Sequence, residues 1–161
     1  MLTGLAMEPH RNGWRCRLRD GAISGLAGGA AFALVQELDQ RAFRYPANDY
    51  LLLGGMFGLS IASSRRIGIA LHVVNSAALG GVYALTTAKV TGIPAPAKGV
   101  IFALLENTAL YPALLLERRH PLIKSGKLVS YFNWKAFTQE MLRHVAFGAV
   151  TGAIHSKLSK R

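Results

Sequence analysis

Acidic residues are scarce in this chain. Eight Asp and Glu stand against nineteen Lys and Arg in 161 residues, a formal charge of +11. Charge of either sign is thin: 17% of residues are charged, against about 25% in soluble proteins. Residues 21–36 contain no charged side chain, and neither do 67–88, where His72 is the one group that titrates near neutral pH. A soluble helix must show water a polar face. Segments apolar all round suit lipid or a deep core, and a chain of this length cannot enclose four or five of them. Cysteine is nearly absent too. Cys16 alone excludes an intramolecular disulfide and leaves the redox compartment unread. No nucleophile elbow, P-loop, dinucleotide fingerprint or zincin motif is present, and the glycine-rich run Gly25–Gly29 follows no strand. These absences lean away from an enzyme without deciding the question.

What is present is apolar. Hydrophobic residues make up 51% of the chain and the mean hydropathy is +0.26. The basic residues gather at segment ends: Arg15, Arg17 and Arg19; Arg65 and Arg66; Arg118 and Arg119; Lys157, Lys160 and Arg161. That is the pattern of helix flanks meeting anionic lipid headgroups, not of a nucleic-acid surface. The expected fold class is all-α, an integral membrane helical bundle of four long helices plus one short apolar helix. A basic arm over 1–20 precedes a single transmembrane domain over 21–157 and a basic tail over 158–161.

Within that domain the pattern predicts a first helix from Gly21 to about Ala42 and a loop around Pro46. A short apolar segment follows from Tyr50 to Ser64, ended by Ser63–Arg66. At about 1.5 Å per residue it spans roughly 22 Å, short of the ~30 Å hydrocarbon core. The third helix covers Ile67 to about Lys89. Gly92, Pro94 and Pro96 make a turn, and the fourth helix runs from about Lys98 to Glu117 with a kink at Pro112. A basic aromatic loop precedes the last helix, about Ala136 to Lys157. Whether the short segment crosses is open: basic residues divide unevenly between the two sides with five crossings and evenly with four, while its length favours four.

Small residues recur at helical spacing: Gly21, Gly25 and Gly29; Gly54 and Gly58; Gly80; Gly148 and Gly152. Such stripes let a second backbone approach closely, which is how helices associate in lipid. They make a homo- or hetero-oligomer through glycine faces one expectation. His72 precedes Gly80 by the interval that separates His144 from Gly152, a faint internal repeat of about 72 residues.

Polar groups inside apolar segments are costly and tend to face a bundle interior. Glu106, beside Asn107, lies mid-way along the fourth helix, either protonated or paired with Arg143. His72, Asn75, Ser76, Gly80, Tyr83 and Thr87 form one stripe on the third helix. Glu140, Arg143 and His144 share a face of the last helix. The third and last helices should run parallel, with His72 and His144 at similar depth. With four crossings, Glu37 and Asp39 join them on the same side. Three functional readings follow. The leading one is a non-enzymatic structural or accessory subunit packing through its glycine faces. A second is a transporter or proton-conducting element using Glu106, His72 and His144. A third is a haem held between His72 and His144, or a metal held with Glu37, Glu106 or Glu140. The bundle di-metal pattern needs Glu-x-x-His, whereas only Glu140-x-x-x-His144 occurs, and no cofactor is predicted.

His72 early in a span, Tyr83, the Pro94/Pro96 loop, Gly99, Tyr111–Pro112, the aromatic loop through Trp134, then Glu140 and His144 before a basic end form a layout. This layout resembles small bacterial inner-membrane proteins of the YagU-like kind, over the C-terminal half of the chain. The resemblance implies a multi-span protein of the bacterial cytoplasmic membrane and supplies no activity.

Overall fold

A computed structural model describes residues 13–57 and 60–160. The described residues are helical, with no strand among them. Helix α1 spans Gly13–Phe43, α2 Asp49–Gly54, α3 Ile61–Thr86, α4 Ala95–Leu110, α5 Pro121–Lys124 and α6 Trp134–Leu158. Short 3-10 segments cover Gly55–Phe57 and Tyr111–Arg119. Three stretches are long and apolar enough to cross a membrane: Gly13–Phe43, Ile61–Thr86 and Ala95–Arg119. Helix α6 has 25 residues, but Glu140 and Arg143 interrupt its apolar character.

Local chemistry sets most boundaries. Helix α1 stops at Phe43, followed by Arg44 in the left-handed region (φ 49°) and then Pro46. Asn48 caps α2 by accepting from Leu51 N, and Ser60 caps α3 by accepting from Ser63 N. Pro94 and Pro96 open α4, where missing N–H groups cost nothing. Pro112 lacks the donor for the next helical bond, and the chain tightens to 3-10 geometry from Tyr111. Asn133 caps α6 through Lys135 N and Ala136 N.

Three expected boundaries are corrected. The second half of the basic arm, from Gly13, is already helix, because nothing between Gly13 and Gly21 breaks it. The segment read as one apolar helix over 50–64 is split: its first part is α2, and Ile61–Ser64 begin α3. Ser63–Arg66 therefore start a helix instead of ending one, with Ser60 supplying the cap. Gly58 and residues 1–12 lie outside the described residues.

The long helices pack in the spatial order α3, α1, α6, α4. Each neighbouring pair is antiparallel. Gly21 lies against Gly80 and Gly29 against Ser76; Gly28 meets Thr151 while Asp39 meets Arg143; Gly99 meets Gly148 while Glu106 meets His144. Helices α3 and α6 are thus parallel, and the Phe32 ring on α1 touches both His72 (5.0 Å) and His144 (5.3 Å). The two imidazoles do share a depth.

The glycines make these contacts possible. A Cβ on Gly25 would strike Ser76 O and the Gly80 backbone; one on Gly99 would strike Gly148 O and the Gly152 backbone. The two crossings share one register, so Gly25 and Gly99 hold matching positions in the α1–α3 and α4–α6 hairpins. Each hairpin encloses a short helix, α2 or α5. The halves differ where they meet their neighbours. Helix α1 packs along α6, whereas the corresponding pair, α3 and α4, touches at one end only, where Tyr83 meets Phe102 (5.5 Å) and reaches Ala95 O (3.5 Å). Beyond Tyr83 the two helices separate.

A cap closes the end where α1 finishes and α6 begins. Ala47, Leu122, Leu128, Tyr131 and Ala136 form its apolar core. Glu117 stitches it by accepting from Ser130 Oγ, Tyr131 N and Phe132 N, and His120 Nε2 meets Leu52 O at 2.8 Å.

Candidate functional site

Beneath the cap lies a buried charge cluster. Arg143, 0% exposed, projects from the second and third turns of α6 towards α1. Its Nε and Nη2 donate to the two oxygens of Asp39, both at 2.7 Å, in the fork geometry that suits a guanidinium. Its Nη1 donates to Asp49 Oδ2 and Glu140 Oε1, each at 3.0 Å, and Nη2 also reaches Ala47 O at 3.0 Å. Gln139 Nε2 donates to Asp39 Oδ1 at 2.6 Å and to Tyr45 O at 3.0 Å, Tyr131 Oη donates to Asp49 Oδ1 at 2.9 Å, and Asp49 N donates to Gln36 Oε1 at 2.9 Å. Burial, and then the charge of Asp49, push the Tyr131 phenol well above its ordinary pKa of 10. Three carboxyl groups face one guanidinium, so the cluster carries excess negative charge unless protons or another cation offset it.

The next residue along α6 is His144. Its Nδ1 lies 2.8 Å from Glu140 O; a carbonyl only accepts, so Nδ1 carries a hydrogen. Its Nε2 faces Glu106 Oε2 on α4 at 3.4 Å. The contact is of ion-pair length and is not a hydrogen bond; it sets a carboxyl group and an imidazole, two group types that serve as general acids and bases, side by side.

These groups border a cavity of about 300 Å³ between α3 and α4. Phe32, Leu79 and Phe147 line its inner wall, and Asp49, Tyr131 and Glu140 its capped end. Glu106, Asn107 and His144 face His72 and Asn75 across it. Asn107 is 7% exposed, and its Nδ2 has no hydrogen-bond partner. Its lining includes the exposed Leu53 and Leu110.

The structure gathers most of the residues singled out from sequence. His72, Asn75, Glu106, Asn107, Glu140 and His144 all line this cavity. Arg143 does not pair with Glu106; it turns to α1, and Glu106 takes His144. Arg143 and His144 are consecutive, about 100° apart around the helix, so they serve opposite neighbours. Glu37 stays outside: its side chain is 50% exposed and lies 3.9 Å from Arg65. The described glycines of the stripes (Gly21, Gly25, Gly29, Gly54, Gly80, Gly148 and Gly152) all pack within the chain. Sequence reasoning placed Asp39 near the helix mouth but passed over Asp49, Tyr131, Gln36 and Gln139. The available signal was a single arginine in an apolar span with two of only eight acids just outside another.

Between His72 and His144 stands the Phe32 ring, and His72 Nε2 meets Gly29 O at 3.1 Å. A haem ligated by both imidazoles would have to displace Phe32. Among the described residues no three His, Cys, Asp or Glu converge as metal ligands. No protein-family model, curated protein or solved structure matches the chain.

Proposed function

We propose that this chain is a four-crossing integral membrane protein that moves protons, alone or with a solute, through the cavity between α3 and α4. The observation that carries this reading is the Glu106–His144 contact, which places a carboxyl group and an imidazole, two proton-exchanging group types, together on the cavity wall. The excess of buried carboxyl groups around Arg143 supplies further proton-binding capacity next to it. Four crossings are supported by α2, whose six residues reach only about 9 Å, and by the antiparallel α1–α3 pair on either side of it. Helix α6 crosses as the fourth span because its charged residues are matched by α1 and α2. The cytoplasmic membrane of a bacterium is the location implied by the YagU-like layout.

The accessory-subunit reading loses its main support, since the glycine faces it relies on are occupied inside the chain. The test is proton flux into liposomes containing the purified protein, driven by a potassium diffusion potential. Glu106→Gln should lower flux about tenfold or more, the scale of losing one positioned proton carrier. Glu37→Gln, on the surface, should leave flux unchanged. Flux from the Glu106 variant equal to that of the parent would end the proposal.

A further inference from the structure

The cavity combines features that a proton alone does not need. It holds about 300 Å³, room for a small organic molecule. Its walls are largely apolar, with the Phe32, Tyr111 and Tyr131 rings among them. Carboxyl groups reach it from three directions: Asp49 on α2, Glu106 on α4 and Glu140 on α6. Asp39 on α1 stands behind them, bound to Arg143. The counter-charges are Arg143, already shared among three acids, and the imidazoles of His72 and His144. Asn107 adds an independent sign of a missing ligand, because its side chain is more than nine-tenths buried, borders the cavity and has no partner for its nitrogen. An amide both donates and accepts, so it can meet a ligand's polar group with either end. Leu53, Leu110 and Ala113 are exposed residues of its lining, all apolar.

Building on the proton-handling reading, we propose that the cavity binds a lipophilic organic cation, an amine or quaternary ammonium with an apolar body. Its charge sits among Glu106, Glu140 and Asp49, its apolar body lies against Phe32, Leu79 and Phe147, and Asn107 contacts its polar end. Binding replaces the protons that otherwise offset the carboxyl groups, so the cation and protons compete for the same negative charge. Aromatic faces add cation–π attraction, which is stronger where water is excluded.

The test uses benzyltrimethylammonium and its neutral carbon isostere, neopentylbenzene, titrated calorimetrically into the full-length protein in detergent. The expected result is saturable binding of the cation and none of the isostere beyond partition into detergent. One charge-assisted contact is worth about tenfold or more in affinity, so Glu106→Gln should weaken cation binding by at least that factor. Asn107→Leu should weaken it severalfold, and Glu37→Gln should not change it. Comparing the two ligands on the unaltered protein keeps the test independent of whether a variant folds. Equal binding of both ligands, or no saturable binding of the cation, overturns the proposal. Proton flux sensitive to Glu106 without cation binding overturns the ligand assignment and leaves the proton reading standing. Cation binding with Glu106-independent flux does the reverse.

Discussion

Replacing Arg143 by Met tests the structural account at its centre. Methionine keeps much of the length of the side chain and removes the charge. The guanidinium makes five hydrogen bonds, four of them to carboxylates at 2.7–3.0 Å. Its loss leaves Asp39, 4% exposed, with no cation, and Asp49 and Glu140 facing each other across the vacated space. Removing one partner of a buried ion pair costs about 3–5 kcal/mol. In a chain of this size each kcal/mol lowers the melting midpoint by about 2–4 °C, so the variant should melt roughly 6–20 °C below the parent. Thermal unfolding in detergent, followed by circular dichroism, measures this. A second variant shows that unpaired charge is the cause. Adding Asp39→Asn to Arg143→Met removes the bidentate partner and should recover part of the loss, with a coupling of about 1–3 kcal/mol in a double-mutant cycle. Arg143→Lys should fall between, because an ammonium cannot serve both Asp39 oxygens and two further carboxylates at once. A midpoint for Arg143→Met within about 2 °C of the parent, or strict additivity with Asp39→Asn, would refute the claim that this cluster holds α6 to α1.

Two further outcomes follow from other parts of the structure. Gly148→Leu places side-chain atoms against the Gly99 backbone, which cannot rotate away; it should cost about 1–3 kcal/mol or more and lower the melting midpoint without altering the oligomeric mass, whereas Gly13→Ala, with open space around it, should be silent. Tyr131 bears on alkaline stability. Its phenol keeps its proton in the folded chain at pH values where the unfolded chain, with a pKa of about 10, releases it, so its contribution is complete below pH 10 and is lost as pH rises towards the higher folded value. Tyr131→Phe should cost about 1.5–3 kcal/mol at neutral pH, as the hydrogen bond to Asp49 is charge-assisted, and should flatten the alkaline decline in denaturation midpoint; parallel curves for parent and variant above pH 10 would show that Tyr131 is not its source.

Much of the helical layout was legible in the sequence because lipid-facing helices need uninterrupted apolar surface. Both ends of α6, the close of α3 and the start of α4 fall within three residues of their expected places, α3 opens six residues early, and α4 gives way at Tyr111 to 3-10 geometry where a kink at Pro112 was expected. The parallel course of α3 and α6, and the shared depth of His72 and His144, followed from counting crossings between them. What could not be read was partner choice. Arg143 and His144 look alike in a sequence as polar residues on one helix face, yet a 100° step sends one to α1 and the other to α4. Asp49 reads as a loop residue, because its burial depends on a cap assembled from residues 117–133, some eighty positions away. The described stripe glycines lie against backbone or side chains of the same chain, and a stripe in a sequence does not say whether the helix it admits belongs to the same chain.

The buried cluster also bears on how the protein is made. Helix α6 follows α1, α3 and α4 in the chain, and under the four-crossing proposal it is the least able of them to enter a bilayer by itself, since an arginine at the centre of a span costs about 2.5–3.5 kcal/mol on the insertion scale. Its bidentate partner, Asp39, was synthesised 104 residues earlier and waits at the end of α1. On the four-crossing proposal, insertion of α6 is conditional on α1 and α2 having already gathered to display Asp39 and Asp49. A chain whose first hairpin has failed to assemble leaves Arg143 with Glu140 alone among its three carboxyl partners.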